Sequence, residues 1–240
     1  MININAIFPI AGKGERFGGT FKPKLIFNGR TFLENAVDTI KSDKRINPKF
    51  YFICNNKQER EENVVEWINS IYPEAKVIVI PDQTSGPLAT LSEAELLIGK
   101  YFSKQSIPCV ICDCDHWLSI KNLDLDFLNV GVETVVLPLW PISNDEISSW
   151  LVCRANNNEV SFLEKPQTVS QENEFGVIGC YFFSNTGEFF KKITDVKGTS
   201  VSDYLITFID KMKFHFFTPE EAKFFGDPKR LAKQEAKDKK

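Results

Sequence analysis

The densest run of chemically capable residues lies in AGKGERFGGTFKPK, residues 11–24. Gly12 and Gly14 let the backbone approach an anion closely, and Lys13, Arg16, Lys22 and Lys24 supply cations in the same short loop. Such a loop suits a polyphosphate. It is not a Walker phosphate loop, because no Gly-Lys-Ser/Thr closes it, and Phe17 stands where a dinucleotide fingerprint has its third glycine. A second run, ICDCDHWL at 111–118, sets Asp113 and Asp115 two residues apart, a spacing at which both carboxylates can point to one side. Hard oxygen ligands of this type suit Mg²⁺, which keeps several waters and bridges to phosphate. A tight surface turn with solvated lysines and a solvated acidic turn are the plain structural alternatives.

Four further stretches carry two readings each. In PDQTSGPLATLSEA, 81–94, Gln83 offers a donor and an acceptor and Gly86 lets a planar group lie against the backbone, yet the stretch also reads as a loop with Thr84 or Ser85 capping a helix. FLEKP, 162–166, is a charged strand end closed by proline. In FFGDPKRL, 224–231, Asp227 could supply a carboxylate to a metal, or cap a helix whose first position is Pro228. Cys109, Cys112 and Cys114 could be read as zinc ligands, but a chelating turn and a fourth ligand are missing and the segment reads as a buried strand. His116 and His215 are read as packing or hydrogen-bonding residues.

Strands are expected at Ile4 to Ile10, Phe50 to Cys54, Lys76 to Ile80 and Cys109 to Cys112, separated by helices at Thr31 to Ile40, Glu59 to Ile71 and Leu88 to Tyr101. This alternation predicts βαβ units and a parallel sheet covered on both faces. Asp113 and Asp115 then fall at the C-terminal end of a central strand, where open α/β sheets bind ligands. The second half reads differently, with strands at Thr134 to Leu139, Trp150 to Arg154, Val160 to Leu163 and Val177 to Phe183 and a hairpin turn at Asn156, Asn157 and Asn158. Helices at Thr186 to Ile193 and Ser202 to Lys211, a strand at Phe214 to Phe217 and a charged helix or frayed tail from Lys229 complete the chain. The expected fold is a Rossmann-like, mixed and mainly parallel sheet flanked by helices. It forms one domain over 1–240, with a nucleotide-binding half to about 130, an acceptor half over about 131–231 and a charged tail over 232–240.

GKGERF followed by KPKLIFNG resembles the signature of the nucleotidyltransferase superfamily that includes sugar-1-phosphate nucleotidylyltransferases and cytidylyltransferases. The resemblance implies a GT-A-like fold and transfer of a nucleotide from an NTP to a phosphorylated small metabolite, a sugar phosphate or a non-sugar acceptor such as a phosphocholine-like or amino-acid-derived phosphate. It implies that Ala11, Gly12, Lys13, Gly14 and Arg16 wrap the triphosphate and that Lys22 neutralises departing pyrophosphate, with Lys24 taking that role if the register shifts. Gln83 and Gly86 match the base-binding segment, Asp115 the Mg²⁺ ligand, and Asp113 a helper acting through water or hydrogen bonds. Glu164 and Lys165 match the Glu-Lys-Pro element that holds the acceptor, and Gly179 the small residue beside it. Val177 stands where many sugar enzymes have asparagine, and Phe224 where many members have a last metal-binding aspartate, a position Asp227 could fill.

Composition bounds the rest. With 42% hydrophobic and 25% charged residues the chain can bury a large core, and a net charge of −3 argues against a generally basic face for nucleic acid. The start MININAIFPIAG lacks a positive flank and a cleavage site, and no run is long enough to span a bilayer, so a cytoplasmic protein with reduced thiols is expected. Its partners are expected to be an NTP and a small acceptor, with no nucleic acid and no membrane; nothing specifies an oligomer. Two other classes fit part of the pattern. A GT-A glycosyltransferase shares the Asp-x-Asp but handles a diphosphate and has no need of the cationic loop, whereas a noncatalytic nucleotide sensor would tolerate Phe224.

Overall fold

The computed structural model describes residues 1–129, 133–143, 150–156, 159–164, 166 and 173–238. The first half contains β1 (Ile2–Pro9), β2 (Ile26–Phe27), β3 (Arg30–Thr31), α1 (Phe32–Lys41), β4 (Ile46–Asn55), α2 (Asn56–Glu62), α3 (Val64–Ile71), β5 (Lys76–Ile80), α4 (Pro87–Leu97), β6 (Cys109–Cys112) and β7 (His116–Leu118). The second contains β8 (Thr134–Trp140), β9 (Leu151–Asn156), β10 (Glu159–Glu164), β11 (Glu174–Val177), β12 (Cys180–Phe183), α5 (Thr186–Lys192), α6 (Val201–Thr207), β13 (Lys213–Phe217), β14 (Ala222–Phe224) and α7 (Pro228–Asp238).

One ten-stranded sheet runs through both halves in the order β10-β9-β11-β8-β12-β6-β1-β4-β5, with β13 parallel to β8. It is mixed and mainly parallel, as expected. Alternate residues explain its two coats. Ile4, Ala6 and Phe8 of β1 and Val110 and Cys112 of β6 pack with Leu33, Ala36, Val37 and Ile40 of α1 and Val64 and Ile68 of α3. Ile7, Cys109 and Ile111 face the other layer, built from Leu88, Leu91 and Ala94 of α4, Phe189 and Phe190 of α5 and Tyr204 and Leu205 of α6. A strand apolar on both faces is the signature of a sheet buried on both sides. The same alternation sends Cys109 away from Cys112 and ends the reading of Cys109, Cys112 and Cys114 as one zinc set.

Several boundaries differ for local reasons. The helix expected over Glu59 to Ile71 is two helices, because Asn55 and Gln58 form a capping box that starts α2 early and Asn63, in the left-handed region with φ 49°, breaks the run. The helix expected to reach Tyr101 stops at Leu97, with Gly99 at φ 67°. The charged end is helix α7, whose Asp238 meets Lys223 Nζ at 3.2 Å and Asn28. Of the expected Asn156–Asn158 turn, Asn156 pairs with Glu159, and Asn157 and Asn158 lie outside the described residues.

The largest departure concerns the strand expected over Val177 to Phe183. Phe183 and Phe182 pair with Val135 and Val136, but Val177 and Gly176 pair with Leu139 and Trp140. Residues 178–181 therefore oppose only 137 and 138, and the strand bulges at Ile178 and Gly179. The bulge divides the sheet. β12 stays beside β6, whereas β11 leaves to pair with β9.

Candidate active site

A cleft of about 500 Å³ opens where β1 and β6 end, lined by the loop from Ala11 to Phe17, Lys22, Gln83 to Pro87, Asp113, Asp115 and Gly226. Its loop is tied down at the base. Ala11 O accepts from Gln83 Nε2 at 2.8 Å, and Gly12 O accepts from Gln58 Nε2 at 3.0 Å. Gly14 has φ 67°, and a Cβ there would lie 2.0 Å from Thr20 O, so the turn admits only glycine. Phe17 packs edge-on against Phe32, with ring centroids 5.8 Å apart, and anchors the far side of the loop in the cluster of Phe27, Phe32 and Phe225. Lys13 remains solvated, 3.7 Å from Glu15.

The two loop lysines part ways. Lys22 Nζ donates to Asp115 Oδ2 at 2.8 Å inside the cleft. Lys24 turns outward to Glu62 Oε2 at 3.3 Å and lies over the Trp67 ring at 5.3 Å. Lys22 is thus the lysine that meets the carboxylates.

Asp113 and Asp115 follow β6 directly, and chain backbone presses on both. A Cβ on Gly179 would lie 2.1 Å from Asp113 Oδ2, and one on Gly226 would lie 2.5 Å from Asp115 Oδ2. Asp113 N donates to Gly179 O at 2.7 Å, and Asp115 O accepts from Phe225 N at 3.0 Å. The carboxylates titrate apart: burial and then the neighbouring Asp115 push Asp113 up to about 6. Burial opposes ionisation of Asp115 too, but Lys22 and then His116 hold it well below the usual carboxylate range. Lys22 is raised in turn, against its own burial, by Asp115. His116 is buried, its Nδ1 facing Asp115 Oδ1 at 3.6 Å. His215 stacks on Phe127 at 3.6 Å.

A second cleft of about 290 Å³ adjoins the first. Glu164, Val177, Gly179, Trp150 and Phe224 line it, and Arg16, Pro87, Asp113, Asp115 and Gly226 line both clefts. The bulge at Gly179 thus stands between the carboxylates and the diverging β11. Trp150 meets Phe224 edge-on at 5.0 Å, and the Arg230 guanidinium lies over its ring at 4.8 Å. Lys165 lies outside the described residues.

Three expected residues have other engagements. Gln83 uses its carboxamide on Ala11 O and on Asn55 Nδ2, the latter at 3.1 Å. Gly86 makes room for Thr199, whose O would be 2.6 Å from a Cβ at that position and accepts from Leu88 N at 2.9 Å. Asp227 lines neither cleft; its Oδ1 accepts from Arg230 N at 2.9 Å, the helix-capping alternative. Sequence reasoning missed Gly226, Trp150 and Arg230, and the pairing of β7 with β14 that carries Gly226 to Asp115. The turn-like FFGD was the one available sign of Gly226.

No protein-family model matches this sequence, and no curated protein is similar to it at the sequence level. The fold is nevertheless similar to solved structures over nearly its whole length. A UDP-glucose pyrophosphorylase complexed with UDP-glucose shares 18% identity over 100% of this chain and 99% of that one, with a TM-score of 0.74. A putative glucose-1-phosphate thymidylyltransferase from Bacillus anthracis shares 17% over 98% and 94%, with a TM-score of 0.74. An inositol-1-phosphate CTP transferase from T. maritima shares 14% over 96% and 92%, with a TM-score of 0.71. At such identity the likeness is one of fold.

Proposed function

We propose that this chain is a nucleotidyltransferase that moves the NMP of an NTP onto a phosphorylated small metabolite and releases pyrophosphate. One observation carries the reading: a cleft walled by a cationic glycine loop and a second cleft behind a strand bulge share Asp113, Asp115 and Arg16. Two substrates entering from opposite sides would meet over the carboxylates.

The chemistry needs little from the chain beyond placement and charge. An acceptor phosphate oxygen is already an anion, so it attacks the α-phosphorus without a general base, the bond to the β-phosphate oxygen breaks, and pyrophosphate leaves. Gly12 and Gly14 bring backbone N–H groups to the triphosphate, while Arg16 and Lys22 stabilise charge on the leaving group. Glu164 and Lys165 hold the acceptor, and Gly179 leaves it room.

Asp113 and Asp115 fit a Mg²⁺ ion in donor chemistry. Two adjacent carboxylates open to both clefts, one pushed up to about 6 by burial and by the other, form a site that a hard divalent cation would relieve. Bound there, Mg²⁺ would neutralise charge on the α-phosphate and the incoming oxygen. Free thiols at all six cysteines suit the cytoplasm. No helix among the described residues is long and apolar enough to cross a membrane.

The acceptor is a sugar phosphate in the first reading and a phosphocholine-like or amino-acid-derived phosphate in the second, which Val177 and the aromatic wall of Trp150 and Phe224 favour. Pyrophosphate release, measured for the four NTPs against a panel of phosphorylated sugars, polyols, choline and amino-acid derivatives, tests the proposal. Turnover with at least one pair is expected. Nucleotide binding without pyrophosphate release for any pair would leave a sensor, and transfer from a nucleotide sugar would leave a glycosyltransferase.

A further inference from the structure

Behind the carboxylate pair lies a cluster that the transfer reaction does not use. Cys112 ends β6 and Cys180 begins β12, and the two are register partners across the antiparallel pair. His116 opens β7 just beyond. The sulfur atoms and a ring nitrogen of His116 all lie within 4.8 Å of one another, and all three residues are buried. Among the described residues no other set of three potential ligands converges in this way.

We propose that Cys112, Cys180 and His116 form a site for one thiophilic d¹⁰ cation, Zn²⁺ or Cu⁺. Three observations carry it. The first is donor type. Two thiols and an imidazole select soft or borderline cations, and the hard carboxylates of Asp113 and Asp115 select the opposite kind, so two metal chemistries are kept apart.

The second is orientation. His116 Nε2 faces Cys112 Sγ at 3.7 Å, while Nδ1 faces Asp115 Oδ1 at 3.6 Å. A carboxylate behind one ring nitrogen, with the other nitrogen aimed at sulfur, is the arrangement that sets the tautomer of a metal-binding histidine. Ligand atoms around tetrahedral zinc stand about 3.5–3.8 Å apart. The Cys112 to His116 edge at 3.7 Å is therefore already in place, and the other edges of at most 4.8 Å must contract by up to about 1 Å. Water from the cleft that His116 lines would be the fourth ligand.

The third is charge. Binding releases the two thiol protons to solvent; a cationic His116 ring also releases its Nε2 proton, and a neutral ring carries its one proton on Nδ1, toward Asp115. Two thiolates then balance Zn²⁺, and a neutral cluster can be buried where an isolated charge cannot. Cu⁺, which accepts three ligands without a fourth, fits the same donors and gives a neutral cluster when one of the two sulfurs keeps its proton. A bound ion would lock the His116 ring and, through it, the position of Asp115.

Metal analysis of the purified protein distinguishes Zn²⁺ from Cu⁺; either one at roughly one per chain supports the site. The chelator-stripped protein, titrated with Co²⁺ under reducing conditions, should develop thiolate-to-cobalt charge-transfer absorption and tetrahedral d–d bands that Zn²⁺ abolishes. Cys112→Ser and Cys180→Ser should each lose the charge-transfer absorption, and Cys153→Ser, distant in sequence and buried elsewhere, should retain it. The wild-type titration does not depend on how the variants fold. Absence of resident metal together with no cobalt absorption overturns the proposal, as does absorption that survives both serine variants. A resident Cys112–Cys180 disulfide would overturn it as well, making the pair a redox dithiol.

Discussion

The two clefts, proposed for the nucleotide and the acceptor, stand on the same carboxylates but are walled in opposite ways. Apart from Gly226, the first is made by short segments that follow parallel strands of one sheet: the loop after β1, the turn after β5 and the end of β6. The second is made where the sheet stops being regular. A strand bulges at Gly179, β11 turns away to β9, and Trp150, Ser200, Phe224 and Arg230 arrive from far along the chain. A wall of local loops on rigid strand ends can hold an invariant group such as a triphosphate. A wall assembled from distant segments can change with the acceptor while the floor stays fixed.

Asp115→Ala removes the floor, so it should have the largest effect and spare neither substrate. Loss of about 10²-fold or more in pyrophosphate release is expected, with an unchanged far-ultraviolet spectrum, if several kcal/mol of charge stabilisation depend on this carboxylate. Undiminished turnover by the variant, or by the wild type in excess EDTA, would remove the basis for a shared metal centre.

Gly179→Ala attacks the bulge that separates the clefts. The new Cβ would lie 2.1 Å from Asp113 Oδ2, so either the carboxylate or the bulge must move. Misplacing reacting groups by about 1 Å costs on the order of 10²-fold, and the expected loss falls on kcat. If KM for the acceptor rises and kcat is spared, Gly179 serves only to make room for that substrate.

The same contrast governs what could be read in advance. The cationic glycine loop at the cleft, the Asp-x-Asp and the parallel strands were legible because each is a local pattern. The choice between Lys22 and Lys24 was not, since it depends on which one faces Asp115, 93 residues away. Trp150 and Arg230 were invisible, and Gly226 showed only as part of a turn, because their place at the site depends on β14 pairing with β7 and on the bulge. The bulge is recorded only in the register against β8. Asn63, which splits a helix, was legible in principle, since asparagine tolerates the left-handed region, but α-periodic residues on both sides of it masked the break.

Lys22→Ala and Lys24→Ala sharpen the nucleotide side. Lys22 should be worth roughly one to two decades in kcat, because it carries charge at the carboxylates where pyrophosphate would depart in the proposed reaction. Lys24→Ala should lower stability by about 1 kcal/mol and leave turnover nearly intact, since its contacts are a half-buried ion pair with Glu62, a hydrogen bond to the Glu62 carbonyl and a cation–π contact with Trp67, all away from the carboxylates. The reverse order would place the triphosphate along a different edge of the loop.

Glu164→Ala tests the acceptor side alone. A charge-assisted hydrogen bond is worth about 1.5–3 kcal/mol, so kcat/KM for the acceptor should fall by roughly one to two decades while calorimetric NTP affinity stays the same. Equal losses for both substrates would make the two clefts one.

The smallest effect belongs to Asp227, and it decides whether the metal centre draws on the acceptor-side turn. Its Oδ1 accepts from Arg230 N at 2.9 Å, and its carbonyl accepts from Leu231 N at 2.9 Å with Pro228 at the first helical position. A carboxylate engaged as a helix cap would have no part in the proposed reaction. Asp227→Ala should therefore lower stability by about 0.5–2 kcal/mol, which is a few degrees in Tm for a chain of this size. The Mg²⁺ concentration that half-activates pyrophosphate release should not change, and Asp227→Asn or Asp227→Ser should recover most of the stability, because either side chain can cap. If instead Asp227→Ala leaves Tm unchanged and raises the Mg²⁺ requirement tenfold, the carboxylate leaves the cap for the metal when substrates bind, and the floor of the site has three acidic members.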